Sequence, residues 1–260
     1  MRWAQVAAGL VRVSLSAAMQ YRADFVMDAV TGVVRAVAAV VPLVLLFDHR
    51  DTVAGWTEGE VTLVVGLFFL MQGLLSVLVE PNLGEIVEAI RTGSLDFVLL
   101  KPADAQLLVS LRRVDPGPVW TLLAALGLVA WSVARMPPPS PADVAAAAVL
   151  LLAGMAAMYG LWLMAICASF WFVRVDNLRF LLWAVTDAGR WPLDVFARWV
   201  QVGLLVVVPV GLLTTFPAMA LRGTWTGGTV AFGVGVGLAF LAVSRAAWRA
   251  ALASYTSASS

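Results

Sequence analysis

One cysteine and one histidine occur in 260 residues, and Lys101 is the only lysine; their scarcity removes several classes of chemistry. Cys167 lies inside an apolar stretch, so no intramolecular disulfide can form and packing is its expected role. His49 has no Cys or His at ligand spacing, and no metal centre is expected there. Lys101 follows Leu100, so the Gly-x-x-x-x-Gly-Lys-Ser/Thr loop that cradles nucleotide phosphates is absent. Charge is thin too: charged side chains make up 13% of the chain and the net charge is +1. The basic residues are dispersed, which argues against nucleic acid as a partner.

What the chain has instead is apolar length. Hydrophobic residues account for 62% of it, and the mean hydropathy is +0.92. A water-soluble domain of that balance would expose large apolar areas, whereas a lipid bilayer accepts them. Six windows approach the roughly 20 residues that a helix needs to cross a hydrocarbon core. They lie near 25–47, 61–79, 119–134, 144–173, 197–216 and 229–243. The runs are continuous and rich in Ala, Leu and Val rather than alternating, so helices are expected and membrane strands are not. With the N-terminus inside, the inner connections carry 13 Lys and Arg residues and the outer ones only 3, namely Arg50, Arg135 and Arg222. That asymmetry predicts cytosolic termini.

The expected fold class is an all-α integral membrane protein, a single transmembrane domain over 1–260 with six transmembrane helices. An N-terminal interfacial helix (1–22) precedes them, because Trp3, Val6, Leu10, Val13 and Ala17 recur at helical spacing and Arg12 interrupts any signal-peptide core. The stretch 174–196 carries Asp176, Arg179, Asp187, Arg190 and Asp194 among apolar residues and reads as a second interfacial segment. Trp56, Trp120, Trp131, Trp171, Trp199 and Trp225 fall near span ends, where an amphipathic ring suits the interface. Gly233, Gly235 and Gly237, with Gly154 and Gly160, predict close helix packing rather than a dinucleotide fingerprint. The 137–141 run Pro-Pro-Pro-Ser-Pro is a stiff linker, and the Ser/Ala-rich tail from Ser254 is expected to fray.

The connection 80–118 is the most informative part. Leu83, Ile86, Val87 and Ile90 share one helix face, while Glu85, Glu88 and Arg91 face elsewhere. Pro81 suits a first turn and Gly93 a left-handed stop. Glu88 and Arg91 stand at i, i+3 spacing for mutual support. The product is a short, two-faced helix at the membrane edge, able to press one side on the bundle and show the other to a protein.

The run Glu88-Ala89-Ile90-Arg91-Thr92-Gly93-Ser94-Leu95-Asp96-Phe97-Val98-Leu99-Leu100-Lys101-Pro102 resembles the inner-loop motif of type-2 ATP-binding-cassette (ABC) permeases. Gly93, Ser94, Leu95, Asp96, Leu99, Leu100 and Pro102 match it in order, with Pro102 one place closer than usual. Arg190-Trp191-Pro192-Leu193-Asp194-Val195-Phe196, followed by Val208-Pro209 and Phe216-Pro217-Ala218, is similar to the fifth-span region of six-span bacterial members of this length. Leu107 to Arg113 departs from the pattern, for many relatives carry a Gly-Lys pair there.

The resemblance implies the permease half of an exporter in the bacterial inner (cytoplasmic) membrane. Leu83, Glu85, Ile86, Glu88, Arg91, Ser94 and Asp96 would form a coupling helix that contacts a separate ABC ATPase subunit. ATP and Mg would sit on that ATPase, this chain binding no cofactor and catalysing nothing. A second permease chain, identical or related, would complete the path. A stand-alone secondary transporter and a non-transporting assembly factor are the alternatives. Within the first span, Asp28 and Arg35 are candidates for the translocation path or the dimer interface. An arginine at that depth costs at least about 2.5 kcal/mol, so a cavity, a helix C-terminus or a carboxylate on another span or subunit should receive it.

Overall fold

The computed structural model describes residues 22–110, 112–170 and 176–255. The expected interfacial helix at 1–22 and the frayed tail therefore lie almost wholly outside the described residues. Among those described, every element is helical apart from an isolated bridge between Val53 and Trp56.

Four helices are long and apolar enough to cross a membrane: α1 (Arg22–Phe47), α2 (Glu58–Leu78), α7 (Pro141–Cys167) and α12 (Gly227–Ser254). Between α2 and α7 come α3 (Glu80–Thr92), α4 (Asp96–Leu99), α5 (Ala105–Ser110) and α6 (Val119–Val133). After α7 come α8 (Asp176–Thr186), α9 (Arg198–Val206), α10 (Val210–Leu213) and α11 (Thr215–Leu221). At 15 residues, α6 is about 22 Å long, short of the roughly 30 Å hydrocarbon core.

Three helices start at one end of the bundle, each with a side-chain cap. Glu60 accepts the Thr57 N–H at 2.8 Å. Ser140 and Asp143 exchange bonds of 3.2 and 2.8 Å, with Pro141 in the first turn. Thr226 accepts from Thr229 N–H at 3.2 Å. Such caps satisfy amide groups that have no partner within the helix. This is the Trp56 end; the opposite one, where α3 lies, is the Arg91 end.

The bundle pairs α7 with α12 and α2 with α6, while α1 leans on α6. The α7–α12 crossing depends on small residues. A Cβ on Gly160 would lie 2.7 Å from the Phe240 carbonyl oxygen, and one on Gly237 would lie 2.8 Å from that of Ala153. Gly154 and Gly233 are equally crowded, as expected, but Gly235 faces open space and is no packing residue.

The expected interfacial segment 174–196 requires correction. Phe170 packs on Trp248 and Tyr255 near the Arg91 end. Yet Asp194 accepts the Trp56 indole N–H at 2.9 Å at the other end. Between them Trp183 meets Trp162 edge-on, and Gly189 lies against Phe68 and Val210. The segment thus runs the length of the bundle instead of lying along one surface. Arg190 pairs with Asp187 at 3.2 Å and lies 5.3 Å over the Phe68 ring.

The expected fifth span at 197–216 changes with it. There, α9 and the α10–α11 stretch meet at 73° about Pro209. Just before α9, Asp194 is tied to Trp56; just after α11, Arg222 pairs with Glu60 at 2.7 Å and lies 4.4 Å over the Trp56 ring. Both ends of the stretch are fastened at the Trp56 end, so it enters and leaves on one side. Its inner part, Leu212 and Leu213, is fully buried, and Gly154 of α7 sits against the Leu212 carbonyl. Trp56 itself is 2% exposed, a packed latch rather than an interfacial anchor.

Candidate functional site

At the Arg91 end α2 runs on into α3 through Val79, which keeps a helical backbone, so apolar helix extends over Glu58–Thr92. Pro81 occupies the first turn of α3, and Gly93 ends it at φ +71°, both as the sequence predicts. Leu83, Ile86 and Ala89 face inward and join a core with Met71, Leu75, Met158, Trp162, Ile166 and Trp248. Burial of a Leu or Ile side chain contributes about 1.5–3 kcal/mol each, enough to seat the helix. Leu83 and Ile86 are each 1% exposed, on the face turned into the bundle.

Glu88 and Arg91 project outward and pair at 2.9 Å, as their spacing predicts. Glu85 is turned along the bundle instead, toward Arg113 at 3.3 Å and Arg112 at 3.7 Å. Ser94 is exposed, its hydroxyl 3.0 Å from that of Thr92. Asp96 faces the end of α12: burial first, and then the Asp96 charge, pushes the Tyr255 hydroxyl above its ordinary pKa. Beyond the turn, Phe97 and Leu100 stand 72% and 81% exposed beside Lys101. Glu88, Arg91, Ser94, Phe97 and Leu100 thus form one exposed, mixed apolar and charged surface.

Two sets of residues that hold this surface escaped the sequence reading. The first is Asn82, 1% exposed. Its amide donates to the Leu78 and Arg113 carbonyls at 2.7 Å, and its oxygen accepts from the Arg112 and Arg113 amides at 2.9 and 2.7 Å. A polar residue one place before Leu83, on the inward face, was the available signal. The second joins α5 to α7 and α12. Gln106 and Ser110 bond the Tyr159 hydroxyl at 3.2 and 2.7 Å, while Arg245 binds Gln106 at 2.9 Å and Asp104. No sequence pattern joins residues so far apart.

Asp28 and Arg35 line one cavity of about 220 Å³, with Gln72, Ser76, Asp115 and Thr121. Arg35 lines this cavity and makes no ion pair among the described residues.

Compared with known proteins, residues 33–259 match the family model described as ABC-2 family transporter protein. This chain belongs to the ABC-2 transporter family. No curated protein and no solved structure matches it. Membership makes it a membrane-embedded, multi-pass permease component of an ABC transporter and implies an ABC ATPase as partner. The permeases of this family generally lack an ATPase site of their own. The inner-loop run from Glu88 to Pro102, which carried the resemblance, lies within the matched region.

Proposed function

We propose that this ABC-2 permease lines a dimeric export path and is driven through α3 by an ATPase docked at the Arg91 end. The observation that carries this reading is the exposure of Glu88 and Arg91 on α3, which continues α2, and of Ser94, Phe97 and Leu100 in the turn and α4 that follow. Short mixed surfaces with an aromatic anchor suit protein docking, the aromatic supplying most of the energy and the charges the register. Six passages serve the path: α1, α2, α6, α7, the run from α8 to Asp194, and α12. The α9–α11 stretch dips in from the outer side. Both termini are cytosolic in the bacterial inner membrane, in keeping with the basic residues gathered at the Arg91 end. A second permease chain faces the first, and ATP and Mg stay on the ATPase. Closure of the ATPase pair tilts α3 and with it α2.

The test is co-purification from cells that express both subunits. Phe97→Ala with Arg91→Ala is expected to release the ATPase while the permease still elutes as a folded membrane protein. Full retention of the ATPase by this double variant overturns the assignment of the patch.

A further inference from the structure

Two cavities adjoin at the Arg91 end of the bundle. One, about 440 Å³, is a groove between α3 and the foot of α6, with Glu80, Glu85, Glu88 and Asp115 in its walls. The other is the chamber of about 220 Å³ among α1, α2 and α6 that holds Asp28, Arg35 and Gln72. Ser76, Asp115 and Pro118 line both, so groove and chamber are continuous. On α1, Asp28, Thr31, Gly32 and Arg35 recur at i, i+3, i+4 and i+7, which turns one helix face to the chamber.

The chamber is not built to be dry. Arg35 stands about 10 Å beyond Asp28 along α1 and makes no ion pair among the described residues. An arginine at that depth needs a water-filled cavity or an acceptor. Gln72, Ser76 and Thr121 supply polar groups, and the volume far exceeds the roughly 10–15 Å³ that one water requires. Beyond Arg35 the same three helices close: Leu43, Leu67 and Ala125 are at most 1% exposed and share one core. The chamber thus adjoins the groove on the α3 side and is sealed toward the Trp56 end.

Charge is graded along this route. In the groove, Glu85 and Glu88 keep arginine partners, Arg113 and Arg91. At the step into the chamber, Asp28 and Asp115 make no ion pair among the described residues. Both border Gly117, where a Cβ would lie 2.9 Å from Asp28 Oδ2 and 3.3 Å from Asp115 Oδ1. The guanidinium of Arg35 comes only after them.

We propose that groove and chamber form one blind, water-filled inlet that admits small organic cations from the α3 side as far as Arg35. Water, and not a lipid headgroup, solvates the Arg35 guanidinium. Asp28 and Asp115 raise the concentration of cations at the threshold of the chamber, and Arg35 halts them below the Leu43 seal. The apolar groove along Val37 and Val41 lies on another face of α1 and takes no part. Neither the ATPase assignment nor the orientation in the membrane enters this reading.

Cys167 is the only cysteine, so Cys167→Ser gives a thiol-free background for single replacements Glu88→Cys, Thr31→Cys, Thr121→Cys and Val41→Cys. The full chain is labelled in sealed membrane vesicles of each orientation with two membrane-impermeant thiosulfonates, one carrying trimethylammonium and one carrying sulfonate. Each rate is divided by that of the same reagent with 2-mercaptoethanol. From the side that labels Glu88→Cys, the Thr31→Cys and Thr121→Cys chains are expected to react and the Val41→Cys chain is not. At Thr121→Cys the cationic reagent is expected to be favoured about tenfold. Adding Asp28→Asn with Asp115→Asn should bring that ratio near one, and adding Arg35→Gln should raise it.

Reaction of Thr121→Cys no faster than that of Val41→Cys overturns the proposal. Reaction of Thr31→Cys alone also overturns it, since Arg35 would then reach lipid headgroups along the outside of α1. Equal rates for the two reagents, or a ratio unchanged in the double Asn variant, overturn it as well. Should Arg35→Gln fail to insert, the double Asn ratio decides the charge assignment and the Thr31 and Thr121 labels decide the water.

Discussion

Asn82 shows how much one side chain can hold. Its four hydrogen bonds tie α3 to the turn at Arg112 and Arg113, and every partner is a backbone group. Asn82→Ala strands three of those groups, Leu78 O having its own helical neighbours. These bonds are part-buried, so water can reach some of the groups left behind; at about 1 kcal/mol for each of the three, the low end for an unpaired polar group, a loss of roughly 3 kcal/mol is expected, read as a lower midpoint of thermal unfolding in detergent. Asp104 makes a pH-dependent contribution. The Arg245 guanidinium, and after it the Leu107 amide, hold its carboxyl below the usual carboxylate range. A pKa depressed in the folded state stabilises above the unfolded value of about 4, and that contribution is lost as pH falls through the lower, folded value. Asp104→Asn should therefore lower the unfolding midpoint at pH 7, and the difference from wild type should shrink as pH falls through the depressed, folded value.

At the scale of elements, the α7–α12 crossing separates glycines that look alike in sequence. Gly160→Leu forces a side chain into the Phe240 carbonyl and should cost about 1–3 kcal/mol or more. Gly235→Ala meets nothing and should stabilise by about 0.5–1 kcal/mol through helix propensity. Comparing the unfolding of the two variants checks both. The same contrast marks how far sequence can be read. The windows near 25–47, 61–79, 144–173 and 229–243 correspond to α1, α2, α7 and α12, because an unbroken apolar run has one physical outcome in lipid. Helix α3 was legible too, since its stripe, its proline and its terminal glycine all agree. The run from Asp176 to Phe196 was not. Charge normally marks a surface, but Asp187 and Arg190 neutralise one another and Asp194 finds Trp56, a partner 138 residues away. Tertiary pairing of that kind leaves no periodic trace. The proposed docking patch was half legible: Glu88 and Arg91 stood out, whereas the exposure of Phe97 and Leu100 leaves no mark in the sequence.

At the scale of the molecule, the α9–α11 stretch is exposed along α9 and buried at Leu212 and Leu213, and both its ends are fastened at the Trp56 end. Trp56 and Arg222 are its fasteners. A cysteine placed at Leu212, in a Cys167→Ser background, should resist thiol reagents while both fasteners remain. Trp56→Ala with Arg222→Ala should speed its labelling without releasing the ATPase, because the docking patch lies at the other end. Equal labelling rates would show that the seat against α7 alone holds the loop. Together α2 and α3 span 35 residues, Glu58–Thr92, broken at Val79 and Pro81, where the Val77 carbonyl accepts the Asp115 N–H at 3.0 Å in place of a helical one. One tip carries Arg91 and the other carries Glu60, the residue that grips Arg222. In the proposed drive through α3, the break at Pro81 is the joint that motion must cross to reach Glu60.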